Sequence, residues 1–361
     1  MPGAEDNVII GVDIGGTKVA AGLVNSRGEM LIKVRTRMPA RGTAAEGLRA
    51  VFDAIDGVLC DRRAKQARAI GVSVAGWVDS KRGVLLRAAN IPCWRDFPLT
   101  AEIKNHYGLP TRLGNDANAA SLAEAAWGSG ANYDSVFYVT LGTGIGTGFV
   151  LRREIIAGST GAAGEGGHMS IDFRGPQCAC GKRGCIELYA SGSGIANRAR
   201  ERLAKPTARD SKLLALSHGN PDAVTSEIVF KAALAGDPIA SSIVEEAIER
   251  LAIWLGNIVD LLEPEVIVFG GGLGQRILSY QAAIRRELET WAINPRREKV
   301  AMVAAHYGSE SALVGAAALC MRRSQIWTSR AHREVDRENP NRRSSLRGKG
   351  GIKDGRRPSP R

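Results

Sequence analysis

The chain has 361 residues, 44% of them hydrophobic and 24% charged, with a formal net charge of +12. That is an ordinary soluble composition, long enough for about two domains with a cleft, and no run approaches the roughly 18 to 20 apolar residues of a membrane span. The charge sits mostly at the end, where residues 330 to 361 carry 11 Lys/Arg against 4 Asp/Glu, so specific nucleic-acid recognition by the folded part is not expected. The start, MPGAEDNVIIGVDIGG, lacks a basic segment followed by a small-residue cleavage site, so a cytoplasmic protein with no membrane partner is expected.

In chain order, residues 8 to 38 alternate short β-prone runs with turn signals: VIIGVDIGG, TKVAAGLVNSRG, EMLIKVRTRM. This predicts a meander. A dinucleotide-binding GxGxxG runs from strand into helix, whereas DIGGTKVAAGLV has no helical periodicity after its glycines, so that reading fails. In GVDIGGTK, the backbone of Gly15, Gly16 and Thr17, with Lys18 beside them, offers donors to an anionic oxygen. Asp13 just before the turn can hold Mg²⁺ beside nucleotide phosphates, directly or through water. Taken alone, the same glycines also fit a hairpin that needs only positive φ.

Residues 44 to 66 carry apolar residues every three or four positions and predict an amphipathic helix. GNDANAASLAEAAWG, residues 114 to 128, begins as a turn and becomes a helix, with Asn115 or Asp116 near the N-cap. A carboxylate there either caps the helix or accepts the proton of a hydroxyl attacking phosphorus. The expected domain boundary lies near residues 115 to 135: an N-terminal α/β domain over 1–120 and a C-terminal one over 121–310.

The strand and Gly/Thr-turn grammar returns at 136 to 161, where LGTGIGTG supplies a second loop with Gly142, Thr143 and Gly144. Two such loops suit two similar α/β domains facing each other across a nucleotide cleft. Next comes HMSIDFRGPQCACGKRGCIE. Cys178, Cys180 and Cys185 read CxCx4C, broken by Gly181 and Gly184, with His168 ten residues upstream; a closed Cys3His shell of this kind is the chemistry of structural zinc. There is no CxxC redox motif, and the other cysteines, Cys60, Cys93 and Cys320, stand singly among apolar neighbours. Glu165 and Glu187 flank this stretch, placed either on the surface or to accept from ligand hydroxyls. Residues 241 to 262 predict a second amphipathic helix, and EVIVFGGGLG at 265 to 274 a strand entering a glycine turn with Gly271 and Gly272. A helix over about 311–323 is expected to pack back onto the first domain. The Pro-, Gly- and Ser-rich basic tail, 324–361, is expected to be disordered.

Together DIGGT, GNDAN, LGTGIGTG, GEGGH and CACGKRGCIE resemble the ROK family of sugar kinases and regulators, over about residues 8 to 322. The resemblance implies the actin-like ATPase (ribonuclease H-like) fold. It also implies use of ATP and Mg²⁺, phosphorylation of a hexose (usually at the C6 hydroxyl), and a homodimer. Matched motif by motif, Asp116 falls on the catalytic base. Asn90, Asn115, Asp116, Glu165, His168 and Glu187 fall on sugar contacts, and His168, Cys178, Cys180 and Cys185 on the zinc shell. Asp13, Gly15, Gly16, Thr17, Lys18, Gly142, Thr143, Gly144, Gly271 and Gly272 are assigned to the nucleotide. Residues 74 to 99 are similar to the glucokinase pattern, with Gly76, Asn90 and Trp94 near the sugar loop. Glucose is the expected hexose, with N-acetylmannosamine, N-acetylglucosamine, fructose and allose as alternatives. Because Asp13 already belongs to the first loop, no DNA-binding domain is expected ahead of it, which leaves a non-catalytic sugar sensor or a polyphosphate-using kinase as rivals.

Overall fold

Strict burial of one apolar face drives the first sheet: Ile10, Val12 and Ile14 on the first strand have no solvent exposure, and neither do Ala21 and Leu23 on the second. In the computed structural model, which describes residues 8–39, 41–205 and 210–321, β1 (Ile9–Ile14), β2 (Lys18–Val24) and β3 (Met30–Arg37) form an antiparallel meander. The basic tail and the last two residues of the expected 311–323 helix lie outside the described residues. Helix α1 (Ala44–Leu59) starts at a capping box made by Thr43 and Glu46 and buries Ala50, Val51, Ala54, Ile55 and Val58 on the sheet. It is shorter than the apolar periodicity implies, because the chain breaks at Cys60 and Asp61 caps a separate short turn.

Strand β4 (Ile70–Val74) adds in parallel to β1. A small antiparallel sheet follows, made of β5 (Trp77–Asp79), β6 (Val84–Arg87) and β7 (Arg95–Phe97). Then come α2 (Leu99–Tyr107) and β8 (Thr111–Asn115), which pairs in parallel with β4. The first sheet therefore runs β3-β2-β1-β4-β8.

After α3 (Asp116–Ala126) the scheme repeats. Strands β9 (Ser135–Leu141), β10 (Ile145–Leu151) and β11 (Glu154–Ile155) form a second antiparallel meander. Past the His/Cys loop come α4 (Glu187–Ala190), α5 (Gly192–Leu203), α6 (Lys212–Leu216), α7 (Ser226–Leu234) and the long α8 (Pro238–Leu262). α8 begins before the expected residue 241 because Asp237 caps it and Pro238 occupies the first helical position. Strand β12 (Val266–Gly270), α9 (Gly274–Leu278), α10 (Gln281–Trp291), β13 (Ala301–Ala304) and α11 (Ser311–Ala318) complete the described chain. The second sheet runs β11-β10-β9-β12-β13, the same order and the same mixture of antiparallel and parallel pairs as the first.

Between the sheets lie α3 and α11. α11 packs on β1, β2 and β4, while α3 packs on β9 and β10, so residue 120 falls inside a helix that starts at the first sheet and lies on the second. The layers approach unusually closely: a Cβ on Gly71 of β4 would lie 1.7 Å from Ala316 O, and one on Gly315 of α11 would lie 1.8 Å from Ala119 O. Buried Glu124 ties the end of α3 to the turn before α11. Its carboxylate accepts from Ser129 N, His306 N, Tyr307 N and the Ser311 hydroxyl at 2.9–3.1 Å. Satisfied on all sides, it fixes the spacing of the two central helices.

Candidate active site

Each repeated hairpin turn opens at the same edge of its sheet. In the first, Gly15 N donates to Lys18 O at 2.9 Å, so of the backbone groups expected to face an anion this one is used by the hairpin itself. A Cβ on Gly16 would lie 2.5 Å from the Asn90 Cβ, which places the turn carrying Asn90 directly against this loop. In the second, Gly142 N donates to Gly144 O at 3.0 Å, and a Cβ on Gly144 would lie 2.4 Å from Glu187 Oε2. None of these four glycines has positive φ. Close approach at Gly16 and Gly144, not a left-handed backbone, is what calls for glycine there. Thr17, Lys18 and Thr143 are exposed at the loop tips. Gly271 does adopt a left-handed φ of 76° against Leu141 O, and Leu273 N donates to that oxygen at 2.9 Å, so the GGGLG turn sits beside the second loop with Gly272 open.

Asp13, at the end of β1, accepts from the Ser73 hydroxyl on β4 at 2.9 Å. Burial raises its pKa to about 6, helped by the negative charge of Asp116. Asp116 is the first residue of α3; burial raises it as well, against the pull of Ala117 N, which donates to its Oδ1 at 2.9 Å. Asn115 takes the N-cap: its Oδ1 accepts from Ala117 N at 2.9 Å and Asn118 N at 3.1 Å, and its Nδ2 donates to Gly76 O at 3.2 Å. Capping thus belongs to Asn115, while the neighbouring carboxylate shares the Ala117 N–H and interacts with the charges of Asp13 and Glu165.

Glu165 joins the two sides. Burial raises its carboxyl, the charges of Asp116 and Glu187 raise it further, and His168 and a hydrogen bond from Trp77 lower it. Asp116, Glu165, His168 and Glu187 therefore share one electrostatic neighbourhood, with Trp77 reaching across from the small sheet. Glu187 also has a structural contact, since its Oε2 accepts from Ile145 N at 2.9 Å behind the second loop. Trp94 is a core residue: it is buried, donates to Ala44 O at 3.1 Å and stacks on Phe97. Two residues not visible as site residues in the sequence hold the Glu165 loop. Thr147 Oγ1 donates to Gly164 O at 2.6 Å and accepts from Gly166 N at 3.0 Å, and Trp254 Nε1 donates to Gly166 O at 3.0 Å. The repeated GTG of the second loop was the only signal for Thr147; Trp254 is indistinguishable from the other apolar residues of α8.

His168, Cys178, Cys180 and Cys185 converge with their ligating atoms all within 4.8 Å of one another. His168 Nδ1 lies 3.7 Å from Cys178 Sγ, and Cys180 Sγ lies 3.6 Å from Cys185 Sγ. Bonds of about 2.3 Å to one tetrahedral zinc put sulfurs roughly 3.8 Å apart, whereas a disulfide requires about 2.05 Å. Burial pushes the Cys185 thiol up to about 12, so a thiolate there needs a cation beside it. The donor set fits zinc. With Nδ1 turned to the sulfurs, Nε2 is the imidazole nitrogen left for the cleft.

Two sheets of one topology, packed around paired central helices with a hairpin loop on each side of a cleft, define the actin-like ATPase fold. The ROK family matches residues 9–323, and the chain belongs to it. Glucokinase of Streptomyces coelicolor is 35% identical over 311 residues, covering 86% of this chain and 96% of that protein. N-acetyl-D-glucosamine kinase of Citrobacter koseri is 32% identical over 324 residues, covering 86% and 98%. The crystal structure of a ROK family glucokinase from Streptomyces griseus, in complex with glucose and AMPPNP, matches with a TM-score of 0.73 at 34% identity, covering 86% of this chain and 98% of that one. Among the described residues, no helix is long and apolar enough to cross a membrane.

Proposed function

We propose that the protein is an ATP-dependent glucokinase that transfers the γ-phosphoryl group of ATP to the C6 hydroxyl of glucose. What supports this reading is that Glu165 feels the charges of Asp116, His168 and Glu187, with Glu187 tied to the second hairpin loop; the likeness to the two Streptomyces glucokinases supports it further. Glu165, His168 and Glu187 hold ring hydroxyls, with Asn90 and Asn115 at the edge toward the first loop. Asp116 orients the C6 hydroxyl and takes its proton. In a loose transition state that base mostly aims the nucleophile. The loops at Gly15–Lys18 and at Gly142–Gly144 align the phosphates, and the turn at Gly271 and Gly272 borders the adenosine.

Asp13 would hold Mg²⁺, directly or through water, and the ion would supply charge neutralisation at the phosphates. His168, Cys178, Cys180 and Cys185 would hold a structural zinc; with four protein ligands it has no open position, so what it supplies is a fixed imidazole. The two halves, 1–120 and 121–310, close on the substrates.

The test is an ADP-release assay across glucose, mannose, fructose, allose, N-acetylglucosamine and N-acetylmannosamine. Glucose should give the highest kcat/KM. A preference for N-acetylglucosamine, the second reading favoured by the Citrobacter likeness, would move the assignment to that substrate, and no ADP release with any sugar would end it.

A further inference from the structure

Asp116 begins α3; two residues further on, about 200° around the helix, Asn118 lines a separate cavity of about 430 Å³. The cavity lies between the halves. One wall is the β5–β6 turn with β8, and the other is β11 with residues 157 and 161; Leu319 closes it. Of the proposed sugar and nucleotide residues, only Asn115 reaches its wall.

Three features of the lining agree. The charged residues in it are Lys81, Arg82 and Arg112, all cationic. Asp79, the nearest acid on the turn, spends one oxygen on the N–H groups of Lys81 and Arg82, at 3.1 and 3.0 Å, and its other oxygen lies 3.9 Å from Arg82 Nη1. Arg112 gives one N–H to Leu319 O at 3.0 Å and keeps its remaining donors. Asn118, only 5% exposed, has an Oδ1 without a hydrogen-bond partner, and its Nδ2 makes a long contact of 3.5 Å to Ala163 O. That oxygen is closed off from solvent and faces Gly164, so the hydroxyl-bearing groups of the lining are Ser80, Thr100 and Thr111. Volumes of roughly 300 to 1,000 Å³ at domain junctions are typical of small-molecule sites.

We infer that this cavity is a second, non-catalytic site for a phosphorylated polyol of sugar size, its phosphoryl group held by Lys81, Arg82 and Arg112 and its hydroxyls set against Ser80, Thr100 and Thr111. Because the ligand touches both halves, and Asn115 ties the cavity wall to Gly76, binding couples to closure and shifts the apparent KM for the substrate in the cleft. The site does not depend on which sugar is phosphorylated.

The experiment is calorimetric titration of the full chain, saturated with glucose and a non-hydrolysable ATP analogue, with glucose 6-phosphate, fructose 6-phosphate or inorganic phosphate. Whether the first two ligands bind is established beforehand, which separates failure of this site from failure of the proposed function. Lys81→Ala/Arg82→Ala, on an exposed turn, serves as the comparison; the basic tail is present in both proteins, so only their difference counts. The expected result is sugar-phosphate binding to the filled enzyme, tighter than inorganic phosphate and weakened about tenfold or more in the double variant, whose KM without sugar phosphate equals wild type. If glucose 6-phosphate binds best the ligand is the product, and if fructose 6-phosphate does it is another hexose phosphate; both support the site. Equal affinity in the two proteins, or inorganic phosphate binding as tightly as the sugar phosphates, overturns it.

Discussion

At the end of β1 the register sets Asp13 opposite Ser73 on β4; at the equivalent step of the second sheet it sets Thr140 opposite Gly270 on β12. The backbones repeat, but the chemistry does not. The first half brings a carboxylate with a hydroxyl partner to its hairpin, while the second brings neutral groups there and buttresses the loop from behind with Glu187. The second half also carries the His168 and cysteine cluster, for which the first has no counterpart among the described residues. A duplicated scaffold can therefore divide its tasks: on the proposed function, one side would handle the cation at the phosphates, and the other would present uncharged donors and fix the sugar.

The largest effect expected is at the junction of the halves. Asp116→Ala should lower kcat by about 10³, within the range general-base groups contribute, and leave the glucose Kd within a few-fold. Turnover close to wild type would remove the role of this residue.

Asp13→Asn against Thr140→Val tests the asymmetry directly. The first should cost about 10² in kcat/KM, with a raised Mg²⁺ requirement, and the second less than about threefold; comparable losses would mean that the turns are chemically alike after all. The same variant has a stability signature. Between the ordinary value of 3.8 and about 6, the folded chain keeps on Asp13 a proton that the unfolded chain has released. Folding stability of the metal-free protein should therefore fall as pH rises through that window. Asp13→Asn should flatten the fall and stabilise the metal-free protein at pH 7 by at most about 3 kcal/mol, measured by denaturant unfolding at several pH values. A steeper fall in the variant would contradict the buried, proton-retaining Asp13.

Cys180→Ser probes the element found only in the second half. Protein purified without chelator should contain about one zinc per chain. The variant should lose most of it and raise the glucose KM about tenfold, by loosening His168, with a smaller change in kcat. Full activity in zinc-free protein would show that the imidazole needs no clamp.

What could be read in advance follows the range of each interaction. The two meanders, the helical stripes and CxCx4C are local patterns in which turn residues and period carry the information. Asn115 and Asp116 could not be assigned to cap and base from spacing alone, because both are competent caps; the backbone of β8 decides by giving Asn115 the extended conformation of an N-cap. Glu124 looked like any polar residue on an Ala-rich helix, since its partners, Ser129 apart, lie more than 180 residues away. Trp77 and Trp94 are similar in sequence context, yet one lies exposed at the cleft and the other in the core. Tertiary packing chose between them.

The smallest effect expected is the most specific for positioning. Trp254 reaches the Glu165 loop from the middle of α8 through one hydrogen bond to Gly166 O, 88 residues away in sequence. Trp254→Phe keeps most of the apolar volume and removes that donor, leaving Gly166 O with the Met169 N–H at 3.1 Å, so the loss should cost about 0.5 to 1.5 kcal/mol of stability. If the indole only fills the core, KM for glucose should not move. If it holds the loop, KM should rise about threefold at unchanged kcat, because Glu165 and His168 meet the ground-state sugar while Asp116, on α3, is untouched. The first half has no such brace on its loop among the described residues, where Ser73 contacts the carboxylate itself. Ser73→Ala should accordingly move kcat, and Trp254→Phe should move KM.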